Sequence, residues 1–164
     1  AFAVSIAYVA DNEPVVGVVD APALHVVFRA VKGGGAYCGE KKLSASGRPT
    51  SQAIVATAAP FRHPEQMAAY WPVLERVVGE VEDTRRVGSA ALDLAWVGAG
   101  SFDAYFEYNL SPWDCAAGAV LVREAGGVVT DWEGDQTAWL GSGHLFAGSR
   151  HTHAHLLPLL SARV

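Results

Sequence analysis

The stretch Ser111-Pro112-Trp113-Asp114-Cys115-Ala116-Ala117-Gly118-Ala119-Val120-Leu121-Val122-Arg123-Glu124-Ala125-Gly126-Gly127 is the best-defined element of the 164-residue chain. Ser111 suits an N-cap, Pro112 the first helical position, and Asp114 the third, where its carboxylate meets the positive end of the helix dipole. Gly126-Gly127 supplies the stop. This spacing predicts a helix over 112–125. A second role is open to Asp114, since hard divalent cations take carboxylate oxygens gathered from several segments. The local pattern favours the cap.

Working outward, residues 128–130 and 145–147 read as short strands and 154–160 as a helix. Upstream, 102–108 is an aromatic strand, 89–97 a short helix, and 81–87 a strand. Pro64 can open a helix in which Met67, Tyr70, Trp71, Leu74, Val77 and Val78 recur at helical spacing, and Pro72 should kink or divide it. Residues 54–57 form a buried strand, preceded by a linker at 44–52. Residues 1–43 read as an antiparallel meander: strands at 2–10, 15–19 and 25–31, with Asp11-Asn12-Glu13-Pro14 as a turn and Gly17 breaking the second strand. Gly33-Gly34-Gly35 is read as a tight loop, because a phosphate cradle would need a helix to follow. After the meander, strands alternate with helices over 53–164, the α/β pattern, and 1–164 is read as a single domain.

Hydrophobic residues make up 51% of the chain, enough for a sizeable core and contrary to intrinsic disorder. With 12 Lys and Arg against 17 Asp and Glu, the net charge of -5 argues against direct binding of duplex nucleic acid. No apolar run is long enough for a membrane span. Cys38 and Cys115 make neither a disulfide framework nor a zinc knuckle, and nothing reads as a signal peptide, so the expected compartment is the cytoplasm. Met67 is the sole methionine, so chain upstream of Ala1 is expected.

There is no G-x-S-x-G, Walker loop or H-E-x-x-H. His151, His153 and His155 have no acidic or cysteine ligand near in sequence and read as a solvated helix start. At Gly88-Ser89-Ala90, a helix start with exposed N–H groups suits an anion or a polyol hydroxyl, and an ordinary turn equally well. Glu107, seven residues before Asp114, is by itself no more than a surface charge.

Taken together these pieces carry a resemblance. Gly88-Ser89-Ala90-Ala91-Leu92-Asp93-Leu94-Ala95, then Phe102-Asp103-Ala104-Tyr105-Phe106-Glu107, then Pro112-Trp113-Asp114-Cys115-Ala116-Ala117-Gly118 and Glu124-Ala125-Gly126-Gly127 resemble the inositol monophosphatase family, bacterial members above all. Phe2-Ala3-Val4-Ser5-Ile6-Ala7, Gly17-Val18-Val19 and Gly33-Gly34-Gly35-Ala36-Tyr37 look like that family's central region. The resemblance implies a layered αβαβα sandwich like that of fructose-1,6-bisphosphatase, of which this chain would be the C-terminal part. It also implies a Mg²⁺-dependent phosphatase acting on inositol monophosphate as a homodimer. Asp114 matches the signature aspartate that holds Mg²⁺ near the substrate, Glu107 the acid that contacts inositol hydroxyls, and Gly88, Ser89 and Ala90 the helix start that lies against the ring.

In this resemblance the metals clamp the phosphoryl oxygens and activate water. The family's upstream glutamate motif and Asp-Pro-x-Asp-Gly-Thr motif, which hold the other metal ligands, do not occur here. The 164 residues alone are therefore expected to have no useful phosphatase activity. Sister phosphatases of fructose bisphosphate, histidinol phosphate or phosphoadenosine nucleotides are the nearest alternative. A non-catalytic interaction module, like bacterial relatives that associate with transcription machinery, is the third reading.

Overall fold

The structure, a computed structural model, describes residues 2–162. Its first sheet is fully antiparallel: β1 (Val4–Ala10), β2 (Glu13–Ala21), β3 (Val26–Val31), β4 (Gly35–Cys38) and β5 (Lys41–Lys42) lie side by side in chain order. The turn between β1 and β2 is only Asp11-Asn12, both at positive φ (48° and 61°), the conformation that suits a two-residue hairpin and that short polar side chains tolerate. Glu13 and Pro14, expected in the turn, already belong to the ladder.

Gly17 does not break β2. It pairs with Ala7 on one side and Ala30 on the other. A Cβ at Gly17 would collide with the Ala117 carbonyl oxygen and lie 2.9 Å from the Ala117 Cα. The missing side chain lets a helix pack directly against the sheet backbone.

The second sheet is mixed, ordered β7 (Asp83–Arg85), β6 (Ile54–Ala58), β8 (Ala104–Glu107), β10 (Leu145–Gly148), β9 (Val128–Thr130). β6 runs parallel to β7 and β8, and β10 antiparallel to β8 and β9. Among the described residues five α-helices complete the fold: α1 (Met67–Val78), α2 (Ala90–Gly98), α3 (Pro112–Glu124), α4 (Trp139–Ser142) and α5 (Arg150–Ser161).

Apolar burial sets the layer order. Val19, Phe28 and Ala30 of the first sheet pack on Leu92 and Ala95 of α2 and on Ala117 and Leu121 of α3. The other faces of these helices, with Leu94, Val97, Cys115, Ala119 and Val122, pack on Ala56, Tyr105 and Ala147 of the second sheet. That sheet's far side, with Val55, Phe106 and Phe146, packs on Tyr70, Val73 and Val77 of α1 and Leu156 and Leu160 of α5. The described residues thus supply β, α, β and α layers of the expected sandwich. The outer face of the first sheet is open: register sets Val4 beside Asp20 and Val27, Ile6 beside Val18 and Arg29, and Tyr8 beside Val16 and Val31. Val4, Ile6, Tyr8, Val27 and Val31 are all exposed.

Three details differ from the sequence reading. α1 is not divided at Pro72; Ala68, whose carbonyl loses the Pro72 N–H, is exposed to water. The strand expected over 81–87 shortens to Asp83–Arg85, and the last helix begins at Arg150 rather than 154. The glycine run is the tight loop expected, between β3 and β4, and it holds one of the protein's own anions: the N–H groups of Gly33 and Gly35 each donate to the Glu124 carboxylate at 2.8 Å.

The 44–52 linker is latched. Arg48 Nε donates to Asp103 Oδ1 at 3.0 Å, its Nη2 donates to the Gly100 and Ser101 carbonyls, and the Ile54 N–H donates to Asp103 Oδ2 at 2.7 Å. This fixes β6 and β8, whose carboxyl ends carry the site.

Candidate functional site

A cleft of about 850 Å³ opens where the parallel strands β6, β7 and β8 end and α2 and α3 begin. Ligands of open α/β sheets bind at the carboxyl ends of the strands, because helix N-termini and loops converge there. Its lining includes Gly88, Ser89, Ala90, Asp93, Glu107, Ser111, Trp113 and Asp114, with Arg62, His63 and Arg86 across from the acids. The five residues singled out from the sequence therefore meet at one place.

Each is put there by local chemistry. Gly88 sits at φ +88°, a left-handed conformation that turns the chain from β7 into α2 with no Cβ to strain it. Ser89 occupies the N-cap position in an extended conformation, yet its side chain makes no capping hydrogen bond. The first N–H groups of α2 therefore lack a side-chain partner beside the cleft. Glu107 is the last residue of β8, and the buried Tyr105 hydroxyl donates to its Oε2. Burial raises the Glu107 pKa; the Tyr105 hydrogen bond opposes this, and the negative charge of Asp114 adds to it.

Asp114 does what its helix position predicts. Its Oδ2 accepts the Ser111 N–H at 3.0 Å, fixing the carboxylate at the start of α3 with Oδ1 outside this cap. Capping and a role in the cleft are compatible, because one carboxylate has two oxygens. Trp113, 72% exposed, stands at the cleft mouth. Among the described residues no group of three His, Cys, Asp or Glu could hold a metal ion. Asp114 offers the hard oxygen that Mg²⁺ prefers, but a lone carboxylate does not hold the ion, so the donor set described here does not fit Mg²⁺ by itself.

His151, His153 and His155 are structural or solvated. His153 is buried against Phe146, its ring stacked at 4.4 Å, with Nε2 at 2.9 Å from Thr130 Oγ1, and burial pulls its pKa down to about 4. His155 pairs with Glu80 at the surface and His151 is exposed.

One cleft residue escaped the sequence reading. Asp93, 3% exposed, lies between Leu92 and Leu94 in α2, and its Oδ1 is buried without a hydrogen-bond partner. Burial, then the charge of Glu107, pushes its pKa up to about 7. The available signal was an acid in the interior of an otherwise apolar helix.

Comparison with known proteins fits this geometry. The family model of the inositol monophosphatase family matches residues 1–164. The chain is 43% identical over 147 residues to a protein named Nus factor SuhB from Haemophilus influenzae, covering 89% of this chain and 55% of that protein. It is 41% identical over 151 residues to an inositol-1-monophosphatase of Rhizobium meliloti, covering 92% of this chain and 56% of the relative. The structure superposes on the extragenic suppressor protein SuhB of Bartonella henselae with a TM-score of 0.94 at 38% identity, covering all of this chain and 63% of that one. For the inositol monophosphatase of Anabaena the TM-score is 0.92 at 32% identity, covering 98% of this chain and 64% of that one. The chain spans a little over half the length of these curated relatives. It belongs to the inositol monophosphatase family.

Proposed function

We propose that the intact protein carrying this chain is a Mg²⁺-dependent phosphomonoester hydrolase acting on inositol monophosphate, working in the cytoplasm as a homodimer. The observation that carries this reading is the uncapped start of α2 beside Glu107 and Asp114 at the carboxyl ends of parallel strands. Family membership and the similarity to an inositol-1-monophosphatase support it.

Each residue has a part in this reading. Gly88, Ser89 and Ala90 present backbone N–H groups to the polyol ring and, having little or no side chain, let it approach. Glu107, fixed by Tyr105, accepts a ring hydroxyl and orients the ester, turning binding energy into position. Asp114 is the catalytic residue of this chain and would supply one carboxylate ligand to Mg²⁺, the remaining oxygen ligands coming from outside these 164 residues. The chemistry Mg²⁺ would supply there is charge stabilisation of the reacting phosphate, the largest need in so slow a reaction. Residues 1–164 alone are inactive in this reading. Mg²⁺-dependent phosphate release from myo-inositol monophosphate by the intact protein tests the activity, and release by the bare 164-residue chain contradicts the last statement.

The relatives named Nus factor SuhB favour a second reading, an interaction module within a transcription complex. A pull-down that retains partners without Mg²⁺ separates this reading from the first.

A further inference from the structure

Three buried side-chain polar atoms among the described residues have no hydrogen-bond partner: Thr50 Oγ1, Asp93 Oδ1 and His144 Nδ1. Thr50 and His144 lie away from the cleft; Asp93 lines it. A buried carboxyl oxygen without a partner loses its hydration and gains nothing in return, a larger cost than for a hydroxyl. The surroundings of Asp93 make this worse, with Leu92, Leu94 and Ala95 on the same helix and Glu107 near enough for its charge to be felt. Tyr105, whose hydroxyl could have helped, is committed to Glu107. An unpartnered carboxyl oxygen at a cleft wall calls for an explanation, and a hydroxyl of a ligand in the cleft supplies one.

We propose that Asp93 is a substrate-binding residue that completes, with Glu107, a two-carboxyl clamp for neighbouring hydroxyls of a polyol. The proposal rests on the phosphomonoesterase reading only for the phosphate; the polyol half is argued from Asp93 itself. A hydroxyl both donates and accepts, so it satisfies a carboxyl in either protonation state, whereas a chloride, phosphate or carboxylate ligand would meet two acids with the wrong charge. Tyr105 holds Oε2 of Glu107 and leaves its other oxygen for the cleft; Asp93 supplies the second acceptor one wall away, at the start of α2. The pair thereby selects polyols with adjacent hydroxyls over phosphate esters of simple alcohols.

The test is calorimetric titration of free myo-inositol into the intact protein, wild type against Asp93→Leu and Asp93→Asn, with thermal unfolding of each. Asp93→Leu removes the partner of a hydroxyl and the buried unpaired group together, so it should lose affinity for myo-inositol by about tenfold or more while unfolding at a higher temperature. Asp93→Asn, which keeps an acceptor and a donor, should stay within about threefold of wild type. Where leucine fails to fold, Asp93→Ala takes its place with the same expected loss of affinity. Unchanged affinity in the leucine or alanine variant overturns the proposal, as does a wild-type protein that does not bind the free polyol. Absence of Mg²⁺-dependent phosphate release from a wild type that still binds myo-inositol overturns the activity reading and leaves this one standing.

Discussion

Gly17 of β2 and Ala117 of α3 meet backbone to backbone, with room for no side chain between them. The contact seats α3 on the first sheet, and α3 carries Asp114 at its start. Gly17→Ala should destabilise the protein by about 1–3 kcal/mol, the cost of overpacking where the opposing atom is backbone and cannot turn aside. Chemical denaturation measures it. A variant as stable as wild type would mean that the helix shifts freely, and the position of Asp114 would not depend on this contact.

The Arg48 latch gives a comparable expected loss. Asp103 is fully buried, and Arg48 is its charge partner. Arg48 is partly exposed and Asp103 keeps the Ile54 N–H, so Arg48→Ala should cost less than the loss of a fully buried partner, about 1–3 kcal/mol. A urea midpoint unchanged from wild type would contradict it.

Glu124 tests the glycine run. Its carboxylate takes two N–H bonds from Gly33 and Gly35. Glu124→Gln keeps the shape, loses the charge, and turns one acceptor into a donor facing a donor; a loss of about 1–2 kcal/mol follows. Thermal unfolding of the two proteins reads it directly.

Two buried groups give opposite pH dependences. The Asp93 carboxyl is raised from 3.8 to about 7, so between these values the folded state keeps a proton the unfolded state has released. Its contribution to stability is present at low pH and lost as pH rises towards 7. The His153 imidazole is lowered from 6.5 to about 4, so the unfolded state takes up the proton first. Its contribution is present above 6.5 and lost as pH falls towards 4. The two largely offset each other in the wild type. Asp93→Asn should lose stability more steeply than wild type on acidification across this window, and His153→Gln less steeply, in denaturation series over pH. Parallel curves for all three proteins would contradict both assignments.

What the sequence made legible was local. Ser111, Pro112 and the Gly126-Gly127 stop define α3 without help from the fold, and the Val- and Ile-rich alternation of 2–10 defines β1. What it hid depends on distant partners. Gly17 looks like a strand breaker until Ala117, a hundred residues on, is placed against it. Glu124 looks like a surface acid until Gly33 and Gly35 close on it, and Arg48 like linker polarity until Asp103 is buried beneath it. β4, β5 and α4 are too short, at four, two and four residues, for periodicity to register. In the site, Asp114 and the 88–90 helix start were visible as motif residues, whereas Asp93 was not, because an acid in an apolar helix announces its meaning only once its surroundings are known to be dry.

The central claim is that the cleft at the starts of α2 and α3 is a phosphomonoesterase site in which Asp114 takes part in the chemistry beyond capping. The most direct measurement is Mg²⁺-dependent phosphate release from myo-inositol monophosphate by the intact protein, wild type against Asp114→Asn, with unfolding temperatures taken alongside. The amide keeps an oxygen for the Ser111 N–H and loses the charge, so turnover should fall by about a hundredfold or more while the unfolding temperature moves by only a few degrees. An Asp114→Asn protein that keeps most of its turnover would contradict the account and reduce Asp114 to the cap of a helix.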